Sequence, residues 1–121
     1  MKKLIFIATM FLISVSANSQ IIDCTQKGSQ VNCIGENGQY VGGRSLSSGE
    51  EFVGFCVTAI AISDKSHNLV KLFKPNGEFL SQISWHEGGY FKSMTGTSVS
   101  IYSPGQGNLI YDLKGNYKAS N

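Results

Sequence analysis

The chain has 121 residues, a formal charge of +2 and 15% charged side chains, which leaves room for one domain built on one core. No run of Lys or Arg exceeds the pair Lys2-Lys3, and this argues against nucleic acid as a partner, because phosphate backbones call for a basic patch. Fourteen glycines against two prolines, among many Ser, Thr, Val, Ile, Tyr and Phe, describe short strands joined by tight turns.

The first segment reads as an export signal. Lys2-Lys3 precede an unbroken apolar run, Leu4 to Ile13, and small polar residues follow from Ser14 to Gln20. Charge, apolar stretch and small side chains form the layout of a cleaved leader. Val15 and Ala17 suit cleavage before Asn18, and Ala17 with Ser19 suits cleavage before Gln20. The apolar run is short against the roughly 20 residues that span a bilayer. The expectation is a leader over residues 1–19, a single all-β domain over 20–121, and a periplasmic or extracellular location with no membrane attachment after cleavage.

Three cysteines follow, and an oxidising compartment favours pairing of two. Cys24 and Cys33 are symmetric about Gly28-Ser29. A two-residue turn there, favoured by Gly at its first position, places Lys27 opposite Gln30 and Cys24 opposite Cys33. That is a non-hydrogen-bonded pair, close enough to bridge. A Cys33–Cys56 bridge is the competing arrangement. Cys56 otherwise reads as a small buried hydrophobe.

Downstream, a turn recurs: Asn37-Gly38-Gln39-Tyr40, Asn76-Gly77-Glu78-Phe79 and Lys114-Gly115-Asn116-Tyr117, with glycines 39 and 38 residues apart. Gly49-Glu50-Glu51-Phe52 matches Gly88-Gly89-Tyr90-Phe91 at an offset of 39, as Ala59–Ile62 matches Ser98–Ile101. Asn68-Leu69-Val70 matches Asn108-Leu109-Ile110 at 40, which places a small deletion in the last turn. A fixed period of this length means stacked or symmetric units. Strands are expected at Ala59–Ser63, Asn68–Phe73, Glu78–Ser84, Tyr90–Met94 and Thr97–Tyr102, giving an all-β fold with near-threefold internal repetition.

Chemistry-bearing residues are sparse. His67 and His86 sit in expected turns without the further ligands that zinc requires. Glu50 and Glu51, as neighbours on a strand, point to opposite faces and make a poor acid/base pair. Trp85 beside Tyr90 and Phe91 suits either an aromatic platform or the core. No catalytic residue, metal site or cofactor is expected.

On these segments the chain resembles the bulb-type mannose-binding lectins, the β-prism II family, over roughly residues 40–121. Gly43-Arg44-Ser45-Leu46-Ser47-Ser48-Gly49-Glu50 is similar to the family's opening element. Asn68–Phe73 through Trp85, and Gly107–Asp112 through Asn121, are each similar to one unit. The resemblance implies a three-sided prism of antiparallel sheets with sugars in shallow pockets, in which Gln, Asp and Asn meet vicinal hydroxyls. Around Asn68, Asp64 holds the Gln position and Ser66 the Asp position, with Val70 kept and Leu72 in place of Tyr. Around Asn108, Pro104 and Gln106 hold them, followed by Ile110 and Asp112. The ligand-binding residues this implies are Asp64, Ser66, Asn68, Gln106 and Asn108. Trp85 and Tyr111 join them as candidate sugar-facing aromatics. Propeller-blade-like meanders or a small sandwich or barrel are the alternative folds.

The expected function is an exported, non-catalytic binding domain for a glycan or protein. The alternative is a periplasmic inhibitor or immunity-type protein that blocks a toxin or cell-wall hydrolase. A third is a surface-assembly component that oligomerises through strand pairing.

Overall fold

The computed structural model describes residues 20–120; the expected leader, residues 1–19, and Asn121 lie outside them. The described residues form three antiparallel sheets, each a simple up-and-down meander. The first sheet holds β1 (Asp23–Lys27), β2 (Gln30–Ile34) and β3 (Tyr40–Ser45). The middle sheet holds β4 (Glu50–Phe55), β5 (Ile60–Asp64), β6 (Leu69–Phe73) and β7 (Phe79–Ser84). The third holds β8 (Tyr90–Met94), β9 (Ser98–Ser103), β10 (Gly107–Asp112) and β11 (Tyr117–Ser120). The expected strands are present with ends moved by a residue, and among the described residues the one helical element is a 3-10 turn, Glu36–Gly38.

The expected hairpin has formed in its expected register. Lys27 faces Gln30, Gln26 faces Val31, Thr25 faces Asn32, and Cys24 faces Cys33. Gly28 takes φ +62° in the turn, a conformation that costs glycine nothing. Cys24 and Cys33 are disulfide-bonded, with Cα atoms 4.0 Å apart, and Cys56 is a buried free thiol.

The middle sheet is covered on both faces, which explains why β5 reads as a nearly continuous apolar run. Ile60, Ile62 and Phe73 point to one side, joining Val31, Cys33, Cys24 and Val41 of the first sheet. Ala61, Val70, Leu72 and Ile83 point to the other, joining Val99, Ile101 and Leu109 of the third. Two cores thus lie on the two faces of one sheet, and the sheets approach most closely where β4 meets β8 and β1.

The repeat is visible in hydrogen bonds as well as residues. In the turns before β3, β7 and β11, the N–H groups of Gly35, Lys74 and Asp112 donate to the carbonyls of Gln39, Glu78 and Asn116. Gly38, Gly77 and Gly115 donate back to those same three first residues. The loops between sheets also match: Glu50 N–H donates to Ser47 and Gly89 N–H to His86. Bulges recur between Phe52 and Gly54 and between Phe91 and Ser93.

One expected equivalence changes. Ile62 pairs with Lys71, while its counterpart Ile101 pairs with Leu109. Val70, not Asn68, is therefore the counterpart of Asn108. The deletion falls in the β9–β10 turn, where three residues replace the four between Asp64 and Leu69, and not in the last turn. Asn68 ends that longer turn at φ +57°, in the left-handed region that Asn tolerates better than most side chains. Asn108 lies in a strand opposite Tyr102.

Candidate functional site: a cleft between the middle and third sheets

A cleft of about 330 Å³ opens between β4 and β8, near the β5–β6 turn. Val53, Trp85 and Phe91 give it apolar walls, while Glu51, Ser63, Lys65 and Asn68 bring polar groups to it, and Gly89 and Tyr90 complete the lining. Each is placed by local structure. Glu51 and Val53 come from the bulged strand β4, and Lys65 and Asn68 from the four-residue turn. Trp85 leaves β7 with its N–H bonded to the Asn68 carbonyl at 2.9 Å, which ties the aromatic wall to that turn.

The cleft exists because the repeat departs from itself. Between the first and middle sheets, the loop Leu46–Glu50 ends in a carboxylate that accepts from the Ser47 N–H and pairs with Lys71; between the middle and third sheets, the matching loop Trp85–Gly89 ends in glycine. A Cβ at Gly89 would run into the Tyr102 carbonyl oxygen and lie 2.7 Å from Trp85 Cδ1 and 2.8 Å from its Cβ. Glycine at this position lets the indole lie against the backbone. Trp85 is 8% exposed and belongs to the core together with Val99 and Ile101, so it forms a wall and not a free platform.

Charge is divided between the two sides of the middle sheet. Glu51 and Lys65 form an exposed ion pair at the cleft, 3.4 Å apart, worth little to stability but available to a ligand. On the opposite face, Lys71 lies 3.3 Å from Glu50 and 3.6 Å from Asp64, and His67 Nδ1 lies 3.0 Å from Asp64. Burial raises the Asp64 pKa, but the His67 hydrogen bond and charge, Lys71 and the Ser66 N–H outweigh it and hold it below the ordinary carboxylate value. Glu50 is also lowered, chiefly by the Ser47 N–H, against an opposing effect of burial and with help from Lys71.

The expected site residues are only partly brought together. Asn68 and Trp85 share the cleft. Asp64 adjoins them in sequence but turns toward the first sheet, and Ser66 is exposed, its N–H donating to Asp64 Oδ1. Gln106 is engaged by the Ser103 hydroxyl. Asn108 accepts from Lys92 on the outer face of the third sheet. Tyr111 packs in the second core against Tyr117. Sequence reasoning missed Glu51, Val53, Ser63, Lys65 and Gly89; the exchange of Glu50 for Gly89 at an offset of 39 was the available signal. His86, expected in a turn, donates from Nδ1 to the Pro104 carbonyl.

Among the described residues, no group of three or more His, Cys, Asp or Glu is disposed to hold a metal ion, and no helix is long and apolar enough to cross a membrane. The arrangement at the cleft is an apolar aromatic wall edged by one carboxylate, one ammonium, one amide and the hydroxyls of Ser63 and Tyr90. It can accept and donate hydrogen bonds over a flat apolar surface. No protein-family model and no curated protein sequence matches the chain.

Proposed function

We propose that this protein is an exported, non-catalytic, lectin-like domain that holds a glycan in the cleft between β4 and β8. The observation that carries the reading is the pairing of the Trp85–Phe91 wall with Glu51, Lys65 and Asn68 around one opening. A pyranose has an apolar C–H face and a rim of hydroxyls. Phe91 and Tyr90, with the small exposed part of Trp85, would take the face, Glu51 would accept from neighbouring hydroxyls in charge-assisted bonds, and Lys65 and the Asn68 amide would donate. The Cys24–Cys33 disulfide is consistent with export to an oxidising compartment.

The site differs from the bulb-lectin pocket on the sheet face. The Asn68 copy of that motif has Asp64 engaged by His67 and Lys71, and Val70 in the core. For the same reason, stacked blade-like meanders describe the fold better than a threefold prism. A prism turns one face of each sheet to a shared interior, whereas β5 and β6 bury residues on both faces.

A glycan array probed with the purified chain tests the proposal, alongside a Glu51→Ala/Asn68→Ala variant and Asn108→Ala. Retention lost in the double variant and kept in Asn108→Ala is the expected result. Retention lost only in Asn108→Ala would move the site to the outer face of the third sheet. A silent array would end the glycan reading and favour a protein target, as for an inhibitor.

A further inference from the structure

The recurring turn places an aromatic residue at the same position in all three sheets, and the cleft does not use it. Tyr40, Phe79 and Tyr117 begin β3, β7 and β11 immediately before a register shift, opposite Ile34, Phe73 and Tyr111. They are 62%, 51% and 56% exposed. Phe79 rests edge-on against Phe73 and Tyr117 against Tyr111, with centroids 5.8 Å apart in both. One side of each of those two rings is therefore fixed and the other faces water.

We infer that Tyr40, Phe79 and Tyr117 form a second, linear binding surface for an extended β-linked polysaccharide, one stacking station per sheet. The inference rests on the lectin-like reading for its ligand class alone, since these turns lie at the opposite end of the strands from the cleft. Three features select a glycan chain. The three sheets pack face to face on the two cores, and sheets packed in this way lie about 10 Å apart; equivalent positions then repeat at about the length of one disaccharide in an extended chain, so a polymer with its own period can meet all three in register. Each ring is preceded by an exposed polar side chain, Gln39, Glu78 or Asn116, suited to sugar hydroxyls. The turns carry Glu36 and Glu78 against Lys74 and Lys114, with Lys74 and Glu78 paired at 3.5 Å, so they offer no excess of positive charge for docking on an anionic bilayer, the other surface that attracts exposed Tyr and Phe.

Equivalent stations on a rigid body act multivalently, so affinity grows with the number engaged. The test is calorimetric titration of the purified chain with di-, tetra- and hexasaccharides of the cello- and chito- series, with flotation on anionic vesicles in parallel. The expected result is a hexasaccharide bound about a hundredfold more tightly than its disaccharide. A Tyr40→Thr/Phe79→Thr/Tyr117→Thr variant with an unchanged far-ultraviolet spectrum should lose this length dependence. Each single variant should lose part of it. The Glu51→Ala/Asn68→Ala variant should keep the length dependence, which separates failure of the stripe from failure of the cleft. Equal affinity at all lengths, full hexasaccharide binding by the triple variant, or vesicle binding that the triple variant abolishes would each overturn the inference. If the triple variant loses its fold, the three single variants decide by the same comparison.

Discussion

Asp64 and Glu50 illustrate how a single residue serves packing and charge together. Both carboxylates are nearly buried beside Lys71, and both titrate below their ordinary values. The unfolded chain therefore takes up protons first as pH falls. Their contribution to stability is complete above the ordinary carboxylate range and is lost below about pH 4. Urea midpoints should hold steady from neutral pH down to that range and then drop. Asp64→Asn should be less stable at neutral pH and should show a shallower acid drop; an unchanged pH profile would remove Asp64 from this role. Gly89 is the other decisive residue. Gly89→Ala should drive a methyl group into the Tyr102 carbonyl and Trp85 together, shifting the start of β8 and the indole, cost about 1–3 kcal/mol and abolish ligand retention, as read by urea melts and the glycan array.

Hairpins and turns were the most legible elements. The β1–β2 register followed from Gly28 at the first position of a two-residue turn and from the symmetric cysteines, because such a turn leaves no freedom in the pairing that follows. Its disulfide closes ten residues, and Cys24→Ser/Cys33→Ser should lower stability by about 2.5–3 kcal/mol on the chain-entropy model, measured by urea unfolding. The three Gly turns were also readable, because only glycine adopts their positive φ without strain; Gly38, Gly77 and Gly115 take φ +78°, +96° and +89°. The Asn68 and Asn108 copies were misaligned for a physical reason. Asn-Leu-aliphatic triplets look alike, but pairing in the sheet is set by turn length, and the β9–β10 turn is one residue shorter. Most of the cleft was illegible because it forms between sheets, from residues with no spacing signature along the chain.

Across the whole molecule, the middle sheet is the common element of both cores. Ile62 faces one core and Val70 the other, each fully buried. Ile62→Ala should cost about 2–5 kcal/mol and lower a single unfolding transition, with near-ultraviolet dichroism and Trp85 fluorescence moving together. Separate transitions for the two probes would contradict a shared scaffold. The outer faces differ from the inner ones. Asp23, Thr25 and Asn32 of the first sheet occupy places that Ile60, Ile62 and Lys71 hold in the middle sheet, and Asn108 occupies the place of Val70. Polar outer faces end a stack as capping repeats do. The strongest departures from the repeat are therefore at its ends and at the Trp85–Gly89 loop, the first limiting the stack and the second opening the proposed site.

Trp85 is the sole tryptophan of the chain and lines the cleft, so its emission reports occupancy directly. The decisive measurement is the emission spectrum of the purified chain titrated with a glycan that it retains on the array, with Glu51→Ala/Asn68→Ala as control. A saturable shift in intensity or wavelength that the control lacks is the predicted result. A retained glycan that leaves the Trp85 emission unchanged at saturation would contradict binding in the cleft.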